Sequence, residues 1–432
     1  MKIAVLGAWH QGVVGAACLA EMGYDVMGAD SDTSRVDILN RGRAPLFEPG
    51  LDALLEKGVA AGKLKFTGDF AEAARGAPFI FIMFDTPVNE KDESDLSEIF
   101  STFETVAPAL EPGAVILVTA QVPVGTCDKL LAIANSCGGT ACIAYIPENL
   151  RLGQAIERFR LMPLPVIGCD DPATFDRALT VLAPLAGKWK HVSLRTGEMV
   201  KHALNAFLAL QICFANELGN ICDEIGADGK LVGESLRLEP RVGATAMLLP
   251  GLGFSGGTLA RDMQTLRGLA RACHIDTPLL NGAWQANVEQ NGLVLRKLSR
   301  LLPNLAAARI AVLGLTYKPD TSTLRRSAAM EVIAGLIAAG ATVTAHDPKV
   351  LPDDVSAESK CILCETPMVA ARDADALVLM TPWKDYKDLD FSAIKTAMAG
   401  NYVLDTAGLW SAESVTATGL NYDEIGRGRQ RK

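Results

Sequence analysis

The chain has little that would take it to a membrane, a nucleic acid or an oxidising compartment. No apolar run reaches the ~18 residues of a bilayer span; the longest candidate, His202 to Cys222, is broken by Asn205, Gln211, Asn216 and Glu217. Positive charge is not in excess: 41 Lys and Arg stand against 50 Asp and Glu, a net charge of −9. That balance argues against a general nucleic-acid binder, so an anionic ligand must meet locally placed Lys and Arg. The opening MKIAVLGAW has neither the long apolar region nor the small-residue cleavage site of a signal peptide. The 10 cysteines are scattered over 432 residues and read as reduced, mostly buried thiols. Cys361 and Cys364 form an isolated CxxC, and no metal site is expected. A cytoplasmic location follows from these absences. With 49% hydrophobic and 21% charged residues, a chain of this length predicts two to three globular domains.

What the chain does carry is organised around Pro250–Asp262, PGLGFSGGTLARD. Gly251, Gly253, Gly256 and Gly257 let backbone come close to a ligand, because glycine has no Cβ and reaches positive φ without steric cost. Leu259, Met263, Leu266, Leu269 and Ala270 then recur at helical spacing. The loop therefore runs into a helix N-terminus, whose free N–H groups and dipole favour an anion. A helix over 259–273 is expected, with Thr258 as its N-cap, a residue type preferred there.

At the start, Lys2–Leu6 is an aliphatic strand, followed by GAWHQGVVG, an apolar helix pattern through Met22, and a strand Gly23–Ala29 ending at Asp30. Strand, glycine turn, helix, strand and acid make a dinucleotide-binding unit, with Asp30 close to the ~20-residue spacing of a carboxylate on ribose hydroxyls. Such a carboxylate favours NAD over NADP, because it repels a 2′-phosphate. The fingerprint is incomplete. Gly7 and Gly12 are present, but Trp9 stands where a glycine lets backbone approach the pyrophosphate. Its indole either swings aside or blocks the site. Strands at Phe79–Phe84, Ala114–Thr119 and Cys142–Tyr145 alternate with helical stretches, which indicates a parallel sheet. Val166–Gly168 and His191–Leu194 are candidates to extend it.

Glu198–Glu224 is a long helical pattern in which Lys201 and Asn205, at i and i+4, leave one face together. Ala206, Phe207, Leu210, Cys213 and Phe214 cover more of that helix than one core-facing stripe requires, so a homodimer or larger homo-oligomer is expected. Another helix is expected over Leu279–Leu302. Arg309–Gly314, RIAVLG, nearly repeats Lys2–Gly7, KIAVLG, and a helix pattern and a strand again lead to an acid, Asp347. This is an internal repeat of the mononucleotide-binding half. The second copy has TYKPDTSTLRRS in place of a glycine fingerprint and is not expected to bind a dinucleotide. The fold class is α/β: two Rossmann-like doubly wound domains, 1–195 and 301–432, joined by a central helical segment, 196–300. The last dozen residues, ending GRGRQRK, read as a mobile basic tail.

In this order, EPGL (Glu48–Leu51), DTP (Asp85–Pro87), VPVGT (Val122–Thr126) and PENLR (Pro147–Arg151) resemble motifs of the UDP-glucose/GDP-mannose 6-dehydrogenase family. So do EMVKHALNAFLALQICFANE (Glu198–Glu217), RVG (Arg241–Gly243), GFSGGTLARD (Gly253–Asp262) and LGLTYKPDT (Leu313–Thr321), and the resemblance covers nearly the whole chain. It implies an enzyme that oxidises C6 of a nucleotide-activated hexose, most simply a UDP-sugar, from alcohol to aldehyde to acid with NAD. Carried over by position, Lys201 and Asp262 would bracket the reacting hydroxyl and a water, Asn205 would fix C6, and Glu148 would act as a base through water. Gly7, Gly12, Asp30, Thr86, Gln121 and Arg325 would lie on the cofactor side. Phe254, Gly256, Gly257 and Lys318 would hold the substrate, with Arg241 reaching the neighbouring subunit's site.

The departures are as informative as the matches. The family's nucleophilic cysteine falls at Thr258, and no cysteine lies between Cys222 and Cys273. A thiol traps the aldehyde for its second oxidation; a threonine hydroxyl ionises far less readily. Trp9 and Asp85 each replace a family glycine, Ala120–Gln121 replace Ser–Thr, and Asp405–Gly408 lacks the family's arginine near the nucleotide. Arg261 for lysine keeps the charge. An oxidation that stops at the aldehyde, or one in which water adds directly to it, fits the missing thiol. The alternative is a redox-inactive nucleotide-sugar-binding homologue in which Trp9 fills the dinucleotide groove.

Overall fold

The computed structural model describes residues 1–89, 94–138, 140–302, 304–355 and 359–428. It divides into two compact units, Met1–Leu204 and Asn205–Lys432.

The first unit is built on eight strands: β1 (Lys2–Leu6), β2 (Asp25–Ala29), β3 (Leu64–Thr67), β4 (Phe79–Ile82), β5 (Val115–Val118), β6 (Cys142–Tyr145), β7 (Val166–Gly168) and β8 (Lys190–Val192). Their order is β3-β2-β1-β4-β5-β6-β7-β8, parallel except where β7 runs against β6. In the central register, Ile3 of β1 lies opposite Val26 on one side and Phe79 on the other. Successive strand residues point to opposite faces, and here both faces are covered, so the strands are apolar throughout. Ile3, Val5, Phe79, Phe81, Val115 and Leu117 enter one core layer. Ala4, Leu6, Ile80, Ile82, Ile116 and Val118 enter the other. Each fully buried aliphatic side chain contributes roughly 1.5–3 kcal/mol of transfer free energy. Helix α1 (His10–Glu21) follows β1, and α2 (Thr33–Asn40) follows β2. Helix α3 (Leu194–Ile225) spans the expected Glu198–Glu224 pattern and contains the division between the units.

The second unit has α4 (Gly257–Ala272), α5 (Pro278–Asn291), α6 (Leu293–Leu301) and α7 (Ala328–Ala338), with six parallel strands. These are β9 (Arg309–Leu313), β10 (Thr342–His346), β11 (Ile362–Leu363), β12 (Ala376–Leu379), β13 (Tyr402–Asp405) and β14 (Asn421–Glu424). Their order, β11-β10-β9-β12-β13-β14, is the doubly wound order, and the first six strands of the other sheet repeat it. The same alternation fills two layers, Ile310 and Val312 on one face and Ala311 and Leu313 on the other. The internal repeat read from the two IAVLG runs is thus a repeat of structure.

Three local expectations are corrected. The helix after the glycine loop starts at Gly257 with Gly256 as N-cap, so Thr258 lies inside the first turn and is not the cap. The stretch expected as one helix, Leu279–Leu302, is two, because Asn291–Gly292 interrupts it; Asn–Gly is a turn signal, and glycine within a helix costs about 1 kcal/mol. The expected tail begins later than residue 421: Asn421–Glu424 completes the second sheet as β14, and Arg427 bridges to Asp228. The remainder of that stretch, 429–432, lies outside the described residues. Among the described residues, no helix is long and apolar enough to cross a membrane, and no cluster of His, Cys, Asp and Glu suits a metal ion.

Candidate active site

In the first unit, the turn between β1 and α1 takes its shape from Gly7, at φ +91, whose N–H donates to Ala29 O at 2.9 Å. A Cβ on Gly12 would lie 1.8 Å from Gly7 O, so this position admits only glycine. Both glycines therefore fit the close strand–helix turn of a dinucleotide site. Trp9 does not: it is the extended N-cap residue of α1, 42% exposed, with the Arg35 guanidinium 4.9 Å over its ring. Arg35 Nη1 also donates to both oxygens of buried Asp30, each at 2.7 Å. The same carboxylate accepts from Ala8 N at 2.8 Å and Asp32 N at 2.9 Å. Burial, and then the charge of Asp30, hold the Glu98 carboxyl above its ordinary range. Thr86 is buried near the end of β4, Gln121 is half-buried after β5, and Asp85 is exposed. Gln11 ties α1 to the end of β5 through Thr119 Oγ1, at 2.6 Å.

After β6 the chain turns through Pro147–Arg151. There Glu148 closes a local turn by accepting from Leu150 N. Lys201, buried on α3, donates to Glu148 O and, at 2.9 Å, to Asn149 Oδ1. The turn is held from two further directions. Arg158 Nη1 donates to Asn149 O at 3.2 Å. Glu48 accepts from Gly153 N at 2.8 Å and Ala155 N at 2.9 Å, and its other neighbour is His10 Nε2 at 3.1 Å. Glu198, one turn before Lys201, accepts from Gly125 N at 2.6 Å and Cys127 N at 2.8 Å. Burial and that carboxylate push the Cys127 thiol well above its ordinary pKa, so it is no nucleophile.

In the second unit, Asn205 Nδ2 donates to Asp262 Oδ2. Both are buried, Asp262 at 0% exposure, and Arg261 Nε lies 4.0 Å from the other carboxylate oxygen. Gly256 sits at φ +77, where a Cβ would come 3.0 Å from the Tyr317 ring. Phe254 packs with Ala209, Cys213, Ala260 and Met263, which anchors the loop to α3 and α4. Thr258 is exposed, and Gly257 is the first residue of α4. A cavity of about 240 Å³ lies at the C-terminal ends of β9, β12 and β13, lined by Gly251, Ser255, Thr316, Ser327, Thr381 and Thr406 among others. Its position matches the ligand crevice of doubly wound sheets. Lys318 Nζ lies 5.5 Å from the Tyr317 ring centroid, Arg325 is exposed, and Arg241, 88% exposed at its side chain, pairs with Glu239 at 2.9 Å.

Lys201 thus meets Glu148's turn in the first unit, and Asn205 meets Asp262 in the second. Thr258 and Arg325 are exposed, and Arg241 joins a local ion pair. Asn149 and Arg35 were not singled out from the sequence. Asn149 lay inside the PENLR run, whereas Arg35 offered only a cation shortly after Asp30.

Three family models match the chain in series. They are the UDP-glucose/GDP-mannose dehydrogenase family NAD binding domain over residues 1–186, the central domain over 195–289 and the UDP binding domain over 311–412. A UDP-glucose 6-dehydrogenase of Rhizobium meliloti is 34% identical over 438 residues, covering 99% of this chain and 100% of that protein. Among solved structures, a UDP-glucose dehydrogenase from Pyrobaculum islandicum matches with a TM-score of 0.87 at 28% identity, covering 98% of this chain and 97% of that one. A UDP-D-ManNAc dehydrogenase from Pyrococcus horikoshii matches with a TM-score of 0.85 at 26% identity, over 99% of both chains. The match of the first unit to the NAD binding domain supports NAD as cofactor.

Proposed function

Since this chain belongs to the UDP-glucose/GDP-mannose dehydrogenase family, we propose that it oxidises C6 of a nucleotide-activated hexose, most simply a UDP-sugar, and stops at the aldehyde. The observation that carries this reading is a pair of polar arrangements, one in each unit. Lys201 is held by Glu148 O and Asn149 in the first unit, and Asn205 is held on Asp262 in the second; Thr258, which the resemblance sets at the nucleophile's position, is exposed. An alcohol loses hydride only as its proton leaves. In this reading a carboxylate, Asp262 or Glu148 through water, takes the C6 hydroxyl proton, and the Lys201 ammonium stabilises the developing negative oxygen. NAD, when bound, supplies the hydride acceptor; Gly7, Gly12, Asp30, Thr86, Gln121 and Arg325 are the residues proposed to hold it. Phe254, Gly256, Gly257 and Lys318 are assigned to the sugar nucleotide, whose nucleotide end suits the 240 Å³ polar cavity. Arg241 is assigned to a partner subunit's site, which its exposed side chain permits.

The experiment is an absorbance assay at the reduced-nicotinamide band across a panel of UDP- and GDP-sugars. Reduction with one or more of them supports the reading, and silence across the panel with binding intact refutes it. A second reading has its own observation: Trp9, with the Arg35 guanidinium over its ring, is the N-cap residue of α1 at the turn after β1, and in this reading its indole fills the dinucleotide groove. On that reading the protein binds nucleotide sugar without redox chemistry, and it shows thermal stabilisation by UDP-sugar but none by NAD.

A further inference from the structure

The glycine loop that opens the second unit's candidate site makes no backbone–backbone hydrogen bond from Gly251 through Phe254 among the described residues. Buried polar backbone must nonetheless be paired, and three carboxamides pair five of the segment's groups. Asn216 accepts from Gly251 N at 2.9 Å and donates to Leu252 O at 3.0 Å. Asn287 accepts from Phe254 N at 2.6 Å and donates to Phe254 O at 3.3 Å. Gln290 donates to Gly251 O at 2.6 Å and is oriented by Asn220, whose Nδ2 donates to its Oε1 at 2.9 Å. All three are buried, at 2%, 8% and 3% exposure. Asn216 and Asn287 each present the loop with a donor and an acceptor side by side, as a neighbouring strand would, while Gln290 gives it a donor.

The clamp also accounts for one of the glycines. A Cβ on Gly253 would lie 2.7 Å from both Asn287 Oδ1 and Asn291 Oδ1, so that glycine answers to the amides rather than to a ligand. The clamped segment forms one wall of the 240 Å³ cavity and leads directly to Phe254 and Gly256. We propose that Asn216, Asn287 and Gln290 are positioning residues that template Gly251–Phe254 into its substrate-binding shape. This rests on the nucleotide-sugar reading above. Amides do not titrate, so the loop's geometry is independent of pH even though Glu217, Glu289, Arg296 and, through Asn291, Glu331 lie on the elements around it.

Replacing one amide by a carboxyl tests this directly. In Asn287→Asp the carboxylate still accepts from Phe254 N but faces Phe254 O without a hydrogen. Once protonated, the acid accepts and donates as the amide did. Its pKa, raised by burial, lies above the ordinary ~4. Calorimetric titration with UDP-glucose is therefore expected to show at least tenfold weaker binding at pH 8 for this variant, recovering toward wild type at pH 5. Asn287→Ala stays weak at both. Wild-type affinity for Asn287→Ala, or a pH profile for Asn287→Asp parallel to wild type, overturns the proposal. If the wild type binds no UDP-glucose, the substrate reading fails, and the clamp is decided by amide exchange at Phe254, corrected for intrinsic rate. A rise of tenfold or more in Asn287→Ala supports it, and an unchanged rate overturns it. Asn287→Asp at pH 5 keeps the comparison valid should the alanine variant not fold.

Discussion

Asp30 and Asp347 occupy the same place in the two sheets and make the same bonds. Asp30 Oδ2 accepts from Ala8 N at 2.8 Å and its Oδ1 from Asp32 N at 2.9 Å; Asp347 accepts from Leu315 N at 2.7 Å and Lys349 N at 2.9 Å. In each case the residue one position earlier, Gly7 or Gly314, donates to the strand that ends beside the acid. Since the second sheet lacks the glycine fingerprint, the acid's first duty is to lock the turn after the first strand. The ribose recognition proposed for Asp30 is an addition to that duty. Asp347 is buried and also accepts from Thr316 and from Trp383 Nε1, at 3.1 Å. Asp347→Asn turns an amide donor toward these donors, and hydrogen bonds to a charged group are worth about 1.5–3 kcal/mol each. A loss of about 2–4 kcal/mol is expected, read as a lower urea midpoint at unchanged slope, with NAD affinity unaltered.

The cofactor side makes a second expectation specific. Trp9→Gly removes the indole that stacks under Arg35 and restores bare backbone at the turn. NAD binding is expected to tighten about tenfold, equivalent to ~1.4 kcal/mol. NADP is expected to remain weaker than NAD, because the Asp30 carboxylate repels a 2′-phosphate. Calorimetry with both dinucleotides checks this, and NADP binding as tight as NAD's removes the Asp30 assignment.

Assembly is the third. On α3, Ala206 and Cys213 turn inward, but Phe207, Phe214 and Ile221 are 57%, 53% and 56% exposed and recur every second turn. A row of large apolar side chains on one helix face suits a second copy of the chain. Phe214→Glu is expected to convert a dimer into a monomer by light scattering at micromolar protein. A monomeric wild type sinks the idea.

Much of this architecture was legible because parallel sheets covered on both faces write themselves as short aliphatic runs. Lys2–Leu6, Cys142–Tyr145 and Val166–Gly168 have the bounds that the runs suggested. Helical spacing put Lys201 and Asn205 on one face of α3, but not the Glu148–Asn149 turn that Lys201 meets nor the Asp262 carboxylate that Asn205 meets. What escaped was decided by contacts between distant segments. Nothing near Gly256 says that Tyr317 will crowd it, and nothing near Asn216 says that its amide will serve as a strand for Gly251 and Leu252. The helix start at Gly257 was missed because Thr258 is a good cap in isolation, while a glycine at φ +77 ends the loop two residues sooner.

Acid stability gives a fourth expectation. Burial holds the His346 imidazole below its ordinary pKa, against the opposing charges of Asp347 and Asp385. A depressed histidine favours the neutral form in the folded state, so the unfolded chain binds the extra proton first. Its contribution is fully present above the unfolded value of about 6.5 and is lost as pH falls toward the folded value. His346 Nδ1 lies 3.0 Å from Tyr386 Oη, which His346→Gln can still meet. The variant is expected to show a flatter fall in urea midpoint between pH 7 and pH 5 than wild type; parallel curves would assign that slope to other groups.

The last expectation concerns Thr258 and the number of oxidations. The first hydride transfer needs a positioned alcohol, a base and an acceptor. The second needs something to add to the aldehyde, so that C6 again carries a hydrogen on a tetrahedral, oxygen-bearing carbon. A thiol does this readily; the Thr258 hydroxyl is poorly acidic, and no histidine lies in the loop Pro250–Asp262 to take its proton. Wild type is therefore expected to yield one NADH per sugar and to accumulate the aldehyde or its hydrate. Thr258 is exposed in the first turn of α4, and Gly256 is the cap. Thr258→Cys then removes no cap, and threonine and cysteine have similar helix propensities, so folding stability should change by less than about 0.5 kcal/mol. The variant is expected to move the yield toward two NADH per sugar, with uronic acid formed at the aldehyde's expense. Mass spectrometry of exhaustive reactions compares the two proteins directly, and clean conversion to the acid by the unmodified chain would show that Thr258, or a water in its place, suffices for the second step.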